Sequence, residues 1–253
     1  MTILTNFLLL PLTLLTTLTT STTAQTPKSR TLHPELNAAL RTAATSFDRA
    51  ALLPNSADWT YDFTKHPNYD SPTGAVINAD AATFPAVTGL GSSVALLKLA
   101  PCGMLPPHLH PRATNIVTAI TGNTTTWMIG ENGVGVRRVE LLPMMVTVFP
   151  QASLHMMQNN DCEPSLLISS LNSDDSGTLN ILPSLWSVPQ DIIGAGFGND
   201  AFNAADVGKD IPANCLVLSS PGPHPLCYED RMCVSELLEV AKGEADMALR
   251  GEV

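Results

Sequence analysis

Six histidines occur in the chain, and three of them, His108, His110 and His155, fall in an arrangement that could hold a metal. His108 and His110 are two residues apart, so on one strand their side chains leave from the same face. Pro106, Pro107 and Pro111 bracket the pair, which suits a strand end or edge, where a missing N–H is tolerated. His155 falls on a later β-rich run, just past the turn signal Pro150-Gln151-Ala152. Asn115 lies five residues beyond His110 and would face the opposite way on an unbroken strand. A bend at Pro111-Arg112 would turn it back toward the same space. Neutral imidazoles converging from neighbouring strands suit a divalent transition metal. Three of them with one oxygen ligand leave positions open for water, substrate or dioxygen. The competing reading makes each histidine an ordinary satisfied polar residue, and His33, His66 and His224 are read that way.

The elements that must position these side chains are mostly strands. Short β-rich runs follow one another at Ser93-Leu99, Asn115-Thr121, Thr125-Ile129, Val136-Leu142, Met145-Phe149, Leu154-Gln158 and Ser165-Leu171. Turn residues separate them, among them Gly122-Asn123, Glu131-Asn132-Gly133, Pro143 and Asn159-Asn160-Asp161. Many strands at close spacing predict an antiparallel sandwich or barrel. Ahead of them, Pro34 to Leu53 carries apolar residues at helical intervals and predicts one helix. Asn55 to Pro85 reads as loop and edge strand. Beyond Pro183 the strand pattern fades, and Pro189-Ala195, Asp200-Val207 and Val234-Ala248 read as helical. The fold class is all-β, one domain with its barrel core at about residues 60–185 and a helical tail over 186–253.

Apolar residues make up 44% of the chain and charged residues only 14%, enough for a sizeable core. A formal net charge of -10 argues against nucleic acid or an anionic membrane as partner. Met1 to Ala24 holds no charged side chain and carries a short apolar run at Phe7-Leu15, with small residues at Thr22-Thr23-Ala24. It reads as a cleaved secretory signal (residues 1–24) preceding a mobile arm over 25–33. The run falls short of the roughly 20 apolar residues of a spanning helix. Of the cysteines Cys102, Cys162, Cys215, Cys227 and Cys233, one must be left over if the rest pair within the chain. A bridge between Cys102 and Cys162 would tie the two histidine segments together, and Cys227 with Cys233 would staple the C-terminal segment. Spacing alone does not fix the pairing. Asn123-Thr124-Thr125 is an N-glycosylation sequon in an expected turn.

The stretch Gly103 through Gly122 (GMLPPHLHPRATNIVTAITG) resembles the first motif of germin-like and fungal spherulin-like cupins. Phe149 through Asn159 (FPQASLHMMQN) resembles the second, and the similarity spans roughly residues 80–215. The resemblance implies a jelly-roll barrel holding a metal, manganese in germins, with His108, His110 and His155 as ligands. It also implies self-association into homo-oligomers. Two positions depart from the motifs: Asn115 stands where glutamate is usual, and Ala152 where glycine is usual. An amide brings no negative charge to a dication. The expectation is weaker manganese affinity and a drift toward zinc, copper or nickel, which imidazole favours. Met144, Met145, Met156 and Met157 fill the core or line an apolar substrate cavity. Arg112 reads as a carboxylate recogniser near the metal or, more commonly, a surface salt bridge.

Three functions fit these readings. The first is a secreted metal-dependent cupin, an oxidoreductase on a small organic substrate. The second is a non-catalytic extracellular or cell-wall structural or stress protein. The third is an enzyme of specialised metabolism with a larger substrate in the methionine-lined pocket.

Overall fold

Among the described residues, turn residues separate eleven strands that pair antiparallel in two sheets. The computed structural model describes residues 31–198 and 202–211 and the backbone of 218–219. The signal segment, the helix expected at Val234-Ala248, His224, Cys215, Cys227 and Cys233 lie outside the described residues. The strands are β1 (Gly74–Ala79), β2 (Ser93–Leu99), β3 (Gly103–Leu109), β4 (Asn115–Thr121), β5 (Thr124–Ile129), β6 (Val136–Leu141), β7 (Val146–Phe149), β8 (Leu154–Asn159), β9 (Ser165–Leu171), β10 (Leu179–Asn180) and β11 (Leu218–Ser219). One sheet runs β1-β2-β9-β4-β7; the other runs β10-β3-β8-β5-β6, with β11 also beside β3. The expected edge strand before Pro85 is β1.

Alternation decides which side chains meet between the sheets. Ala95, Leu97 and Leu99 of β2, Val117 and Ala119 of β4, and Leu167 of β9 bury against Leu105, Leu141, Phe149 and Met157. On β4 and β9 the same inward rows continue into Asn115 and Ser169, both buried. On β3 and β8 they continue into His108 and His155. The interior is therefore apolar at one end and polar at the other. Outside the first sheet, Tyr61, Phe63 and Tyr69 pack on Ala75, Ile77 and Leu96.

Three local expectations need correction. Pro34 to Leu53 forms two helices, α1 (Pro34–Thr42) and α2 (Ser46–Leu52), because Thr45 and Asp48 close a capping box that starts a new helix. Ile181–Leu185 is a helix, α3, where Pro183 had suggested only an end to the strands. Proline is tolerated there because the first turn's N–H groups have no partner within the helix. Gly103–Leu109 is a full strand in spite of Pro106 and Pro107, and the pairing with β8 breaks between Leu105 and His108, where those prolines lack donors. The two later helices are α4 (Gln190–Phe197) and α5 (Ala204–Lys209). No helix among the described residues is long and apolar enough to cross a membrane.

The loop after β9 ties the N-terminal helices to the barrel. Asp174 receives Arg41 Nη2 at 2.7 Å and the Gly89 N–H at 2.8 Å. Its neighbour Asp175 receives Arg112 Nη2 at 2.8 Å, so Arg112 is a half-exposed salt bridge and not a residue of the cavity. Cys102, before β3, and Cys162, after β8, are both disulfide-bonded.

Candidate metal centre

The pairing of β3 with β8 sets His108 directly opposite His155. His110 follows one residue past the end of β3. Their ring centroids are 4.3 Å (His108–His155), 5.4 Å (His108–His110) and 5.3 Å (His110–His155) apart. One ligand nitrogen from each ring lies within 4.8 Å of the other two. The same side chains that the sequence pointed to thus meet in one place.

Each ring is held by the backbone. The Nδ1–H of His108 donates to the Pro106 carbonyl at 2.7 Å, that of His110 to Gly177 at 2.7 Å, and that of His155 to Ser153 at 2.9 Å. A carbonyl only accepts, so Nδ1 carries the proton and Nε2 keeps its lone pair. This is the arrangement that orients and tautomerically fixes metal-binding histidines. The His155 Nε2 is buried and has no hydrogen-bond partner among the described residues. Such an orphaned acceptor is costly unless something binds it. Phe149 stacks on the His155 ring at 4.2 Å and fixes its plane.

Burial also keeps the rings neutral. His108 is 4% and His155 1% exposed. Desolvation pushes the His108 pKa down to about 4 and that of His155 to about 3, with the neighbouring imidazoles adding to the shift. Burial lowers His110 as well. All three therefore offer lone pairs at neutral pH, as ligation requires.

Asn115 opens β4 in the opposite sheet, after the chain crosses over at Pro111-Arg112. It lines a cavity of about 310 Å³ together with His108 and His110. The hydroxyl of Ser169 donates to its Oδ1 at 2.6 Å. Leu171, two residues on, is the direct partner of Asn115 across the β4–β9 ladder, so this is a diagonal cross-strand contact. Asn78, Thr178 and Asn180 add polar groups to the wall, and Val76, Leu97 and Met157 add apolar surface.

The cupin sequence profile matches residues 62–203, more than half of the chain and all four of these positions. The chain belongs to the cupin family. Among its relatives, Spherulin-1A of Physarum polycephalum is 30% identical over 192 residues, covering 75% of this chain and 78% of that protein. Germin-like protein 1-1 of Oryza sativa subsp. japonica is 34% identical over 154 residues, covering 56% of this chain and 68% of that protein. This is a germin-like, spherulin-like cupin. A solved oxalate oxidase in complex with the substrate analogue glycolate superposes with a TM-score of 0.54 at 24% identity, over 61% of this chain and 84% of that one. An oxalate decarboxylase of Bacillus subtilis, a protein with Mn(II) centres, superposes at 0.53 with 20% identity, over 60% of this chain and 38% of that one. At those identities the likeness supports the jelly-roll fold.

Several features of this cupin were less visible beforehand. Ser169 could have been found: it is the one polar residue at an inward position between Leu167 and Leu171. Asn78, on β1, and Thr178 and Asn180, at the two-residue β10, carry no such signal, because those segments are too short or too irregular in sequence to show which residues face inward. Gly177, whose carbonyl holds His110, has φ +66°, and an added Cβ would meet Arg112 Nη2 at 2.8 Å. Ala152 keeps the left-handed conformation that glycine would adopt freely, at φ 62°. Of the four methionines only Met157 lines the cavity; Met144 is 82% exposed and Met145 is also on the surface. Methionine is flexible enough to sit anywhere, so its position was not legible. The Asn123 side chain is half-buried, donating to Glu140 and accepting from Asn160.

Proposed function

We propose that this cupin binds a divalent transition metal on His108, His110 and His155 and acts outside the cell as a metal-dependent oxidoreductase on a small organic molecule. The observation that carries the reading is the set of three ring nitrogens within 4.8 Å of one another, each ring fixed by a backbone carbonyl, with the His155 Nε2 without a partner among the described residues. A metal bound there would supply Lewis-acid or redox chemistry at its open positions. The chain's own part is to hold three neutral imidazoles, to present Asn115 at the fourth side, and to wall the substrate space with apolar groups. Manganese follows from the resemblance to germins, with zinc, copper or nickel favoured by a ligand set that has no carboxylate. Export is supported by the apolar N-terminal run, the Asn123 sequon and the disulfide-bonded Cys102 and Cys162, since disulfides persist in oxidising compartments. We place these two in one bridge, because the Cys102 amide donates to the carbonyl of Asp161, next to Cys162, at 3.2 Å.

Metal content of the purified protein, with the element identified, tests the reading. Near-stoichiometric metal is expected in the wild type and none in a His108→Ala/His155→Ala variant. Equal metal in the two would end it. The cavity's apolar share favours a second reading, an enzyme of specialised metabolism with a bulkier substrate. A co-purifying organic molecule detected by mass spectrometry would select it over a purely structural wall protein.

A further inference from the structure

The walls of the cavity carry a charge problem. Among the described residues, none that lines it is an aspartate, glutamate, lysine or arginine. The imidazoles bind as neutral ligands and Asn115 is neutral too. A dication seated on the histidines would then keep its whole charge in a recess whose other walls include Val76, Leu97 and Met157. Charge held out of water without a counter-charge is strongly disfavoured. Something negative must enter with the metal.

Asn115 is built to receive it. Its amide oxygen is occupied by the Ser169 hydroxyl at 2.6 Å. That leaves the two N–H donors of the amide without a partner among the described residues, on the cavity wall beside His108 and His110. A carboxylate at this position would repel an incoming anion, whereas amide N–H groups donate to one.

We propose that an exogenous oxyanion completes the centre: it binds between the metal and the Asn115 amide, and metal and anion bind cooperatively. This deepens the metal-binding reading above and rests on it. Ser169 is the positioning residue, since its hydrogen bond decides which end of the amide faces the cavity. By linkage, the factor by which the anion tightens the metal equals the factor by which the metal tightens the anion.

The test is a calorimetric titration of chelator-stripped protein with Mn²⁺ or Zn²⁺ in a non-coordinating buffer. Formate, acetate or bicarbonate is added in parallel runs, with perchlorate at matched ionic strength as the control. The expected result is a metal Kd at least about ten-fold lower with an oxyanion, within the range of allosteric couplings. The same factor should appear when the anion is titrated into metal-free and metal-loaded protein. Asn115→Glu, which supplies the charge from the chain, should bind metal tightly in perchlorate and reduce the anion's effect to less than about two-fold. Metal binding that is equally tight with and without oxyanion overturns the proposal while leaving the metal site standing. An Asn115→Glu protein that keeps the full anion dependence overturns it as well. No metal in any buffer overturns the metal-binding reading itself, and this proposal with it. The wild-type reciprocity measurement needs no variant, so a misfolded Asn115→Glu leaves the test intact.

Discussion

The two sheets meet at the same cavity but hold their polar residues in different ways. On the second sheet, His108 and His155, with His110 just past β3, are each locked by a main-chain carbonyl. On the first, Asn115 is oriented by a single side-chain hydroxyl, that of Ser169. The imidazole wall is thus built into the fold, and only a change of the ligands themselves or of the backbone can disturb it. The amide wall hangs on one replaceable group. Rigid presentation belongs to the side that would grip a metal, and adjustable chemistry to the side that would meet what the metal binds.

Removing one member from each wall should give the clearest separation. His155→Ala is expected to weaken metal binding by more than about 100-fold, beyond the 10–100-fold typical of losing a group that merely orients a ligand. Asn115→Ala should fall inside that lower range in the same titration. Equal losses would show that both walls ligate alike.

Acid should act on the imidazole wall first. The ordinary histidine pKa is 6.5, while His108 and His155 are lowered to about 4 and about 3 by burial. As pH falls below 6.5 the unfolded chain takes up these protons and the folded chain does not, so stability drops. It is fully present above about pH 6.5 and lost progressively toward pH 4 and below. Thermal melting of the metal-free protein should show this slope, and His155→Gln should flatten it. A flat profile in the wild type would mean that the rings are not held neutral.

The smallest effect concerns the turn that presents His155. The Ala152 N–H donates to the His110 carbonyl at 3.0 Å while its backbone sits in the left-handed region. An L-residue with a Cβ pays roughly 1–2 kcal/mol there, part of which glycine's greater unfolded entropy cancels. Ala152→Gly should stabilise the fold by up to about 1 kcal/mol in chemical denaturation, with metal affinity unchanged. Destabilisation instead would mean that the Ala152 methyl packs usefully.

Much of this was legible in advance because it follows from short-range rules. Short β-rich runs between turn residues marked β2, β4 and β9 to the residue, the two-residue spacing put His108 and His110 on one face, and the resemblance to the cupin motifs added His155. What escaped has a common origin in groups whose partners are distant in sequence. Gly177 holds His110 from 67 residues away, and Ser169 holds Asn115 from 54. Helix breaks such as the one before Ser46 depend on a single capping pair competing with a continuous apolar pattern.

The loop after β9 has one more consequence. Within five residues it takes hold of Arg41 through Asp174, of Arg112 through Asp175, and of His110 through the Gly177 carbonyl. A helix that contributes no strand to the barrel is therefore in series with one imidazole, like a guy-rope on a mast. Cutting the chain just after Arg41 would slacken that line, and the slack would be felt at His110 before it was felt at His108 or His155, whose anchors lie within their own strands or turns.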